Sequence, residues 1–197
     1  IINSHFKYLD FETITYTKTL LLAQNHKVQS LAIYFFFTLI QVISNENESD
    51  QIQSYIKHIS DLDLFSDFCN LLKADDLYFN SIDYTIQSID ILIDLLSDED
   101  LIQNIDQEMV EQLCVMIDGN LKTDTLNSIL NIFINLNDYL ASIDIDQRNC
   151  FVQVLMSNIN PDTLEIFLQS ERKDLINKAQ AFFDQIHEIA SSYSEID

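Results

Sequence analysis

An all-helical fold is what this sequence predicts, and three observations carry that reading. The 197-residue chain contains one glycine, Gly119, and one proline, Pro161. Sheet-rich folds draw on glycine for tight turns with positive φ, and α/β folds need it at crossovers and phosphate loops. Apolar residues recur at i, i+3, i+4 and i+7 through most of the chain, the period of helices with one buried face. Hydrophobic residues make up 47% of the sequence, enough to offset chain entropy by burial and to set aside a disordered chain.

Taken in order, the periodicity places a first helix around Phe11–Gln24 and a long apolar one over Val28–Ser44. The polar stretch "NENESD" that follows reads as an exposed loop. Further helices are predicted over Gln51–Ser60, Asp63–Lys73, Ser81–Leu96, Gln107–Ile117 and Thr125–Ser142. The last three cover Asp146–Ser157, Asp162–Gln169 and Arg172–Ser192. Gly119-Asn120 suits a left-handed helix end. Asp124 suits the cap of the next helix, where its carboxylate meets free backbone N–H groups. Asn160-Pro161 suits a helix start, because proline at the first position loses no needed donor.

The run "LAIYFFFTLIQVIS" raises the question of a membrane span. A spanning helix needs about 20 predominantly apolar residues. Val28–Ile43 offers 16, interrupted by Gln29, Ser30, Thr38 and Gln41, and acidic "NESD" follows without a basic anchor. The expectation is a buried helix of a soluble fold, with Phe36 covered by an N-terminal helix or by a neighbour beyond a fragment that begins at Ile1.

Four long segments line up: "VQSLAIYFFFTLI" from Val28, "IQSIDILIDLLSD" from Ile86, "LNSILNIFINLND" from Leu126 and "INKAQAFFDQIHE" from Ile176. Apolar residues coincide at their first, fourth, seventh and eighth positions. An amide holds the second position in each, as Gln29, Gln87, Asn127 and Asn177. Helices that cannot hide an apolar face alone must stack on a neighbour, which is the logic of a repeat array. The pattern resembles the armadillo/HEAT class of helical repeats over most of the chain. That resemblance implies a right-handed superhelical stack forming a single domain over residues 1–197, a fragment of a longer protein. The chain departs from armadillo repeats in having only Gly119 for the turns between first helices. It also lacks tryptophan, which lines the peptide grooves of nuclear import receptors. An irregular helix bundle is the alternative with the same patterning.

The charge is lopsided, with 32 acidic against 10 basic residues and a formal charge of −22. Such a field repels nucleic-acid phosphates and anionic lipid surfaces, and it attracts basic protein segments. Its bland counterpart is a solvated exterior that keeps the protein dispersed. Cys69, Cys114 and Cys150 lie far apart, form no CxxC pair, and read as buried reduced thiols. They point to a cytoplasmic protein, with the nucleus as the other compartment.

No catalytic constellation stands out. His187-Glu188 begins a zinc-protease HExxH, but Ser191 stands where the second ligand is needed. "DLDLFSD", "SDEDLIQNIDQE" and "DIDQRN" lack the glycine and glutamate positions of a calcium loop. No cofactor or metal is therefore expected, and the sequence reads as non-enzymatic. Asn127, Asn131 and Asn135 fall at i, i+4 and i+8 of one helix. The repeat resemblance implies that such amides bond the main chain of an extended peptide, with Gln87 and Asn177 extending the ladder. Asp90, Asp94, Asp98 and Asp100 are the candidate acidic contacts. Two functions remain: an adaptor whose acidic repeat surface binds a basic protein segment, or a structural subunit packed into a larger complex. In the second reading, self-association runs through Phe35–Phe37.

Overall fold

The computed structural model describes residues 9–46, 49–74, 77, 79–96, 104–117, 119, 121–159 and 161–194. These residues are 85% helical, with no strand among them, as the glycine count and periodicity predict. They fall into two compact units, Ile1–Asp98 and Glu99–Asp197.

The first unit holds α1 (Phe11–Thr19), a 3₁₀ turn (Leu20–Leu22), α2 (His26–Asn45), α3 (Asp50–Asp61), α4 (Leu64–Leu72) and α5 (Phe79–Leu96). Asp10 caps α1, its Oδ1 accepting from the Thr13 N–H at 2.6 Å. The helix stops short of the predicted Gln24. The hydroxyls of Thr15 and Thr17 turn back on the carbonyls of Phe11 and Thr13, both at 2.8 Å. This competition weakens the helical ladder, and the chain tightens into the 3₁₀ turn. Asn25 then caps α2 by accepting from the Lys27 and Val28 N–H groups, at 3.0 and 3.4 Å.

That cap lengthens α2 to 20 residues, so length no longer separates it from a membrane span. Its packing is informative instead. Seven of its residues are buried within the fold, Phe36 completely. One such helix meets the length and composition of a span without establishing one, because core helices do the same.

α5 is the main partner of α2, and Tyr84 lies between Tyr34 and Phe37, with ring centroids 5.1 and 5.0 Å away. Between α3 and α4, Asp63 adopts the left-handed conformation, with φ 53° and ψ 43°. Aspartate tolerates that region better than most side chains. A chain with one glycine thus reverses here without using it; of the predicted helix end Gly119-Asn120, Gly119 is not left-handed and Asn120 lies outside the described residues.

The second unit holds α6 (Gln107–Ile117), α7 (Thr123–Ile143), α8 (Ile145–Asn158), α9 (Pro161–Leu168) and α10 (Lys173–Ser194). Pro161 opens α9 as predicted. Asp124 does not cap α7; it lies in the first turn and pairs with Arg172 at 3.0 Å. One residue, Asp144, joins α7 to α8. Its extended backbone ends the first helix, and its Oδ1 caps the second by accepting from the Asp146 and Gln147 N–H groups at 2.9 and 3.1 Å. Phe133 is wholly buried on α7, 6.3 Å from Phe151 and 6.5 Å from Phe182 between ring centroids. This aromatic cluster ties α7, α8 and α10 together.

The aligned long segments behave unequally. In α5, α7 and α10 the shared apolar positions are mostly buried, for example Ile89, Ile129 and Ala179. In α2 the aligned Leu31 and Tyr34 are 68% and 49% exposed, and the buried stripe runs through Ala32, Phe36, Leu39 and Ile43. The alignment therefore places α2 in the wrong register. Cys69 and Cys114 are buried as predicted, whereas Cys150 is exposed.

Candidate functional site

The predicted site residues occupy unlike environments. On α5, Asp90 is 7% exposed and belongs to the interior, Gln87 is half-buried, and Asp94 faces solvent. Asp98 and Asp100 lie outside the described residues. On α7, Asn127, Asn131 and Asn135 are all half-buried, so the ladder shares a face as its spacing predicts. The Oδ1 of Asn131 already accepts from the Lys178 ammonium on α10. Asn177, on α10, is exposed.

Several cations are engaged within the fold, while Lys27, Lys57 and Lys173 stand exposed. Lys18 pairs with Asp67 at 3.1 Å and donates to the Leu62 carbonyl. Arg148 donates through Nε to Asn137 Oδ1 at 3.0 Å. Arg172 spans Asp124 at 3.0 Å and Asp174 at 2.6 Å. The bond from Arg172 holds the Asp174 carboxyl below its usual range, and Asp174 in turn raises the guanidinium. Asp10 is lowered as well, chiefly by the Thr13 backbone N–H. Carboxylates such as Asp94, Asp106, Glu108, Asp138, Asp146, Asp184 and Glu188 stand exposed on the two units.

The second unit also contains a groove of about 570 Å³, which sequence reading did not find. Ile105, Asp106, Gln107 and Val110 form one wall, at the start of α6. Leu136, Tyr139, Leu140 and Ile143 form the floor, along the last two turns of α7. Gln147, Cys150, Phe151 and Val154 form the far wall, at helical spacing on α8. Phe151 is anchored in the core at 6% exposure, while Ile143 is 52% exposed and opens onto solvent. No lysine or arginine lines the groove. Asp106 stands in one wall, and Asp144 and Asp146 flank Ile143 and Gln147 at the other.

Asn137 is a further residue that sequence reading missed. It lies wholly buried on α7, beside the groove-lining Leu136, and receives Arg148 from α8. This bond fixes the register of the two helices that build floor and far wall. Its signal was present, because Asn137 falls i+4 from Phe133 on the apolar face, where an amide needs a partner.

Among the described residues no group of three or more His, Cys, Asp or Glu side chains is placed to hold a metal ion. No protein-family model matches the chain, and no curated protein is significantly similar to it.

Proposed function

We propose that this chain is a non-enzymatic interaction module, a right-handed superhelical stack of armadillo/HEAT-like repeats that docks a basic segment of a protein partner on its acidic surface. The carrying observation is the excess of acidic charge, 32 acidic residues against 10 basic, with Lys18, Arg148, Arg172 and Lys178 bound to neighbours within their units and many carboxylates exposed. Such a surface steers a basic partner and speeds encounter, while apolar contacts supply most of the affinity. Repeat architecture is supported by α5, α7 and α10, which bury equivalent sequence positions. Cytoplasm or nucleus is the proposed setting.

The test is titration of a Lys/Arg-rich peptide, with a Glu-rich peptide as control, across ionic strengths that shorten the screening length from about 30 Å to about 8 Å. The basic peptide is expected to bind and to weaken steadily with salt. Binding indifferent to salt, or equal binding of the acidic control, would remove the acidic surface from the mechanism.

A second reading, a structural subunit, draws on the exposed Leu22, Leu31 and Tyr34, at 77%, 68% and 49%. The expected self-association surface moves accordingly, because Phe36 and Phe37 are buried. Light scattering after size-exclusion chromatography separates the readings: a monomer supports the adaptor, and an oligomer dispersed by Leu31→Ser supports the subunit.

A further inference from the structure

We infer that the groove between α6, α7 and α8 is the docking site for one amphipathic, basic helix of a protein partner, its apolar face down and its basic flanks toward Asp106 and the acidic α7–α8 junction. The inference rests on the adaptor reading and names where and how the partner is held.

The shape argues for side-chain anchoring. The groove offers about 570 Å³, room for a few aliphatic side chains. Helical partners insert such anchors at i, i+3, i+4 and i+7. Its floor, Leu140 with Tyr139 and Leu136, is continuous with Val154 on the far wall and open at Ile143.

The backbone around the groove excludes the other common modes. Apart from Ile105 and Asp106, which precede α6, the lining residues lie in helices, and among the described residues no sheet edge is offered to an added strand. A polyproline ligand needs exposed aromatic ridges, but Tyr139 and Phe151 are 8% and 6% exposed. A partner must therefore bring its own internally bonded backbone, which a helix does.

Charge selects the partner further. The lining contains Asp106 and no lysine or arginine. Asp144 and Asp146 stand at the α7–α8 junction beside the open end. The nearest cation in sequence to the far wall, Arg148, is engaged by Asn137. An acidic helix would meet repulsion at Asp106 and at the α7–α8 junction, and a neutral one would forgo the attraction.

Cys150 supplies the readout. It lines the groove and is exposed, whereas Cys69 and Cys114 are buried, so a maleimide labels Cys150 selectively in the folded protein. Three peptides of about 15 residues, long enough to populate a helix, serve as probes. One is a Leu/Lys amphipathic sequence, one is the same composition scrambled to destroy the apolar stripe, and one replaces Lys by Glu. Saturating Leu/Lys peptide is expected to slow Cys150 labelling by about tenfold or more, with the other two leaving it unchanged. Ile143→Asn, at an exposed edge, and Gln147→Trp, which fills the groove, are each expected to weaken binding by about tenfold, a difference of about 1.4 kcal/mol. Unchanged circular dichroism shows that each variant is folded, and Leu31→Ser in the other unit serves as a control with unaltered binding.

If the basic peptide binds in a salt-dependent way but leaves Cys150 labelling and both variants unaffected, the groove assignment falls while the adaptor reading stands. Equal protection by the scrambled or the acidic peptide overturns the amphipathic-basic specificity. No binding of any basic peptide, here or in the salt titration, overturns both.

Discussion

The hydrogen bond from Arg148 Nε to Asn137 Oδ1 spans 3.0 Å and joins α8 to an amide on α7 with no solvent exposure. Its contribution can be worked from the unequal surroundings of its ends. Arg148→Ala strands a buried acceptor, which costs about 1–3 kcal/mol. Asn137→Ala removes that acceptor and leaves a small void, but the half-buried guanidinium regains water. We expect each single variant to lose about 2 kcal/mol, and the double variant about 3, because the stranded group disappears with its partner. The coupling is then about 1 kcal/mol. Urea unfolding followed by far-ultraviolet circular dichroism reads it as shifts in midpoint at constant slope, which a slope of about 2–3 kcal/mol/M puts near 1 M for each single variant. Additive losses, with a coupling below about 0.3 kcal/mol, would refute the claim that this bond sets the α7–α8 register.

Two further predictions follow from burial and from the cap. Phe36→Ala should cost about 3–5 kcal/mol and Leu31→Ala within about 0.5, both read by thermal unfolding; the reverse order would restore the aligned register for α2. For Asp10, a folded value below the ordinary one means that the unfolded chain binds more protons across that interval. The capping stability is therefore present above the ordinary aspartate value of about 3.9 and lost as pH falls through the lower folded value. The Thr13 amide resonance should titrate with a midpoint below that of an unfolded control and stop responding there in Asp10→Asn. A midpoint at or above the control would contradict the cap.

How much of this was legible depends on contrast within each segment. Gln107–Ile117 is predicted and observed with the same bounds, because polar residues flank a run with one clear apolar side. α2 has no such contrast. "LAIYFFFTLI" accepts the repeat pattern in more than one register, and a shift of one residue rotates the helix by about 100°. Only packing against α5 and the 3₁₀ turn decides that Phe36 goes in and Leu31 out. The asparagine ladder shows the complementary limit. Spacing places Asn127, Asn131 and Asn135 on one face, but Lys178, 47 residues further along the chain, claims Asn131. The groove was hidden for a similar reason: three helices build it, and Val154 and Cys150 read in sequence like ordinary core.

The size of the charge bears on the choice between a solvated exterior and a docking surface. Solubility of a small domain asks for a net charge of about 2–8, and further like charge strains the compact state by self-repulsion. This chain carries −22, and Lys18, Arg148, Arg172 and Lys178 are drawn into local pairs. Part of the excess stands around an apolar floor, at Asp106 and Asp144, which also cap α6 and α8, and at the exposed Asp146. A basic helix seated there would relieve repulsion and bury exposed apolar surface in one step. A purely solubilising charge would gain nothing from that coincidence.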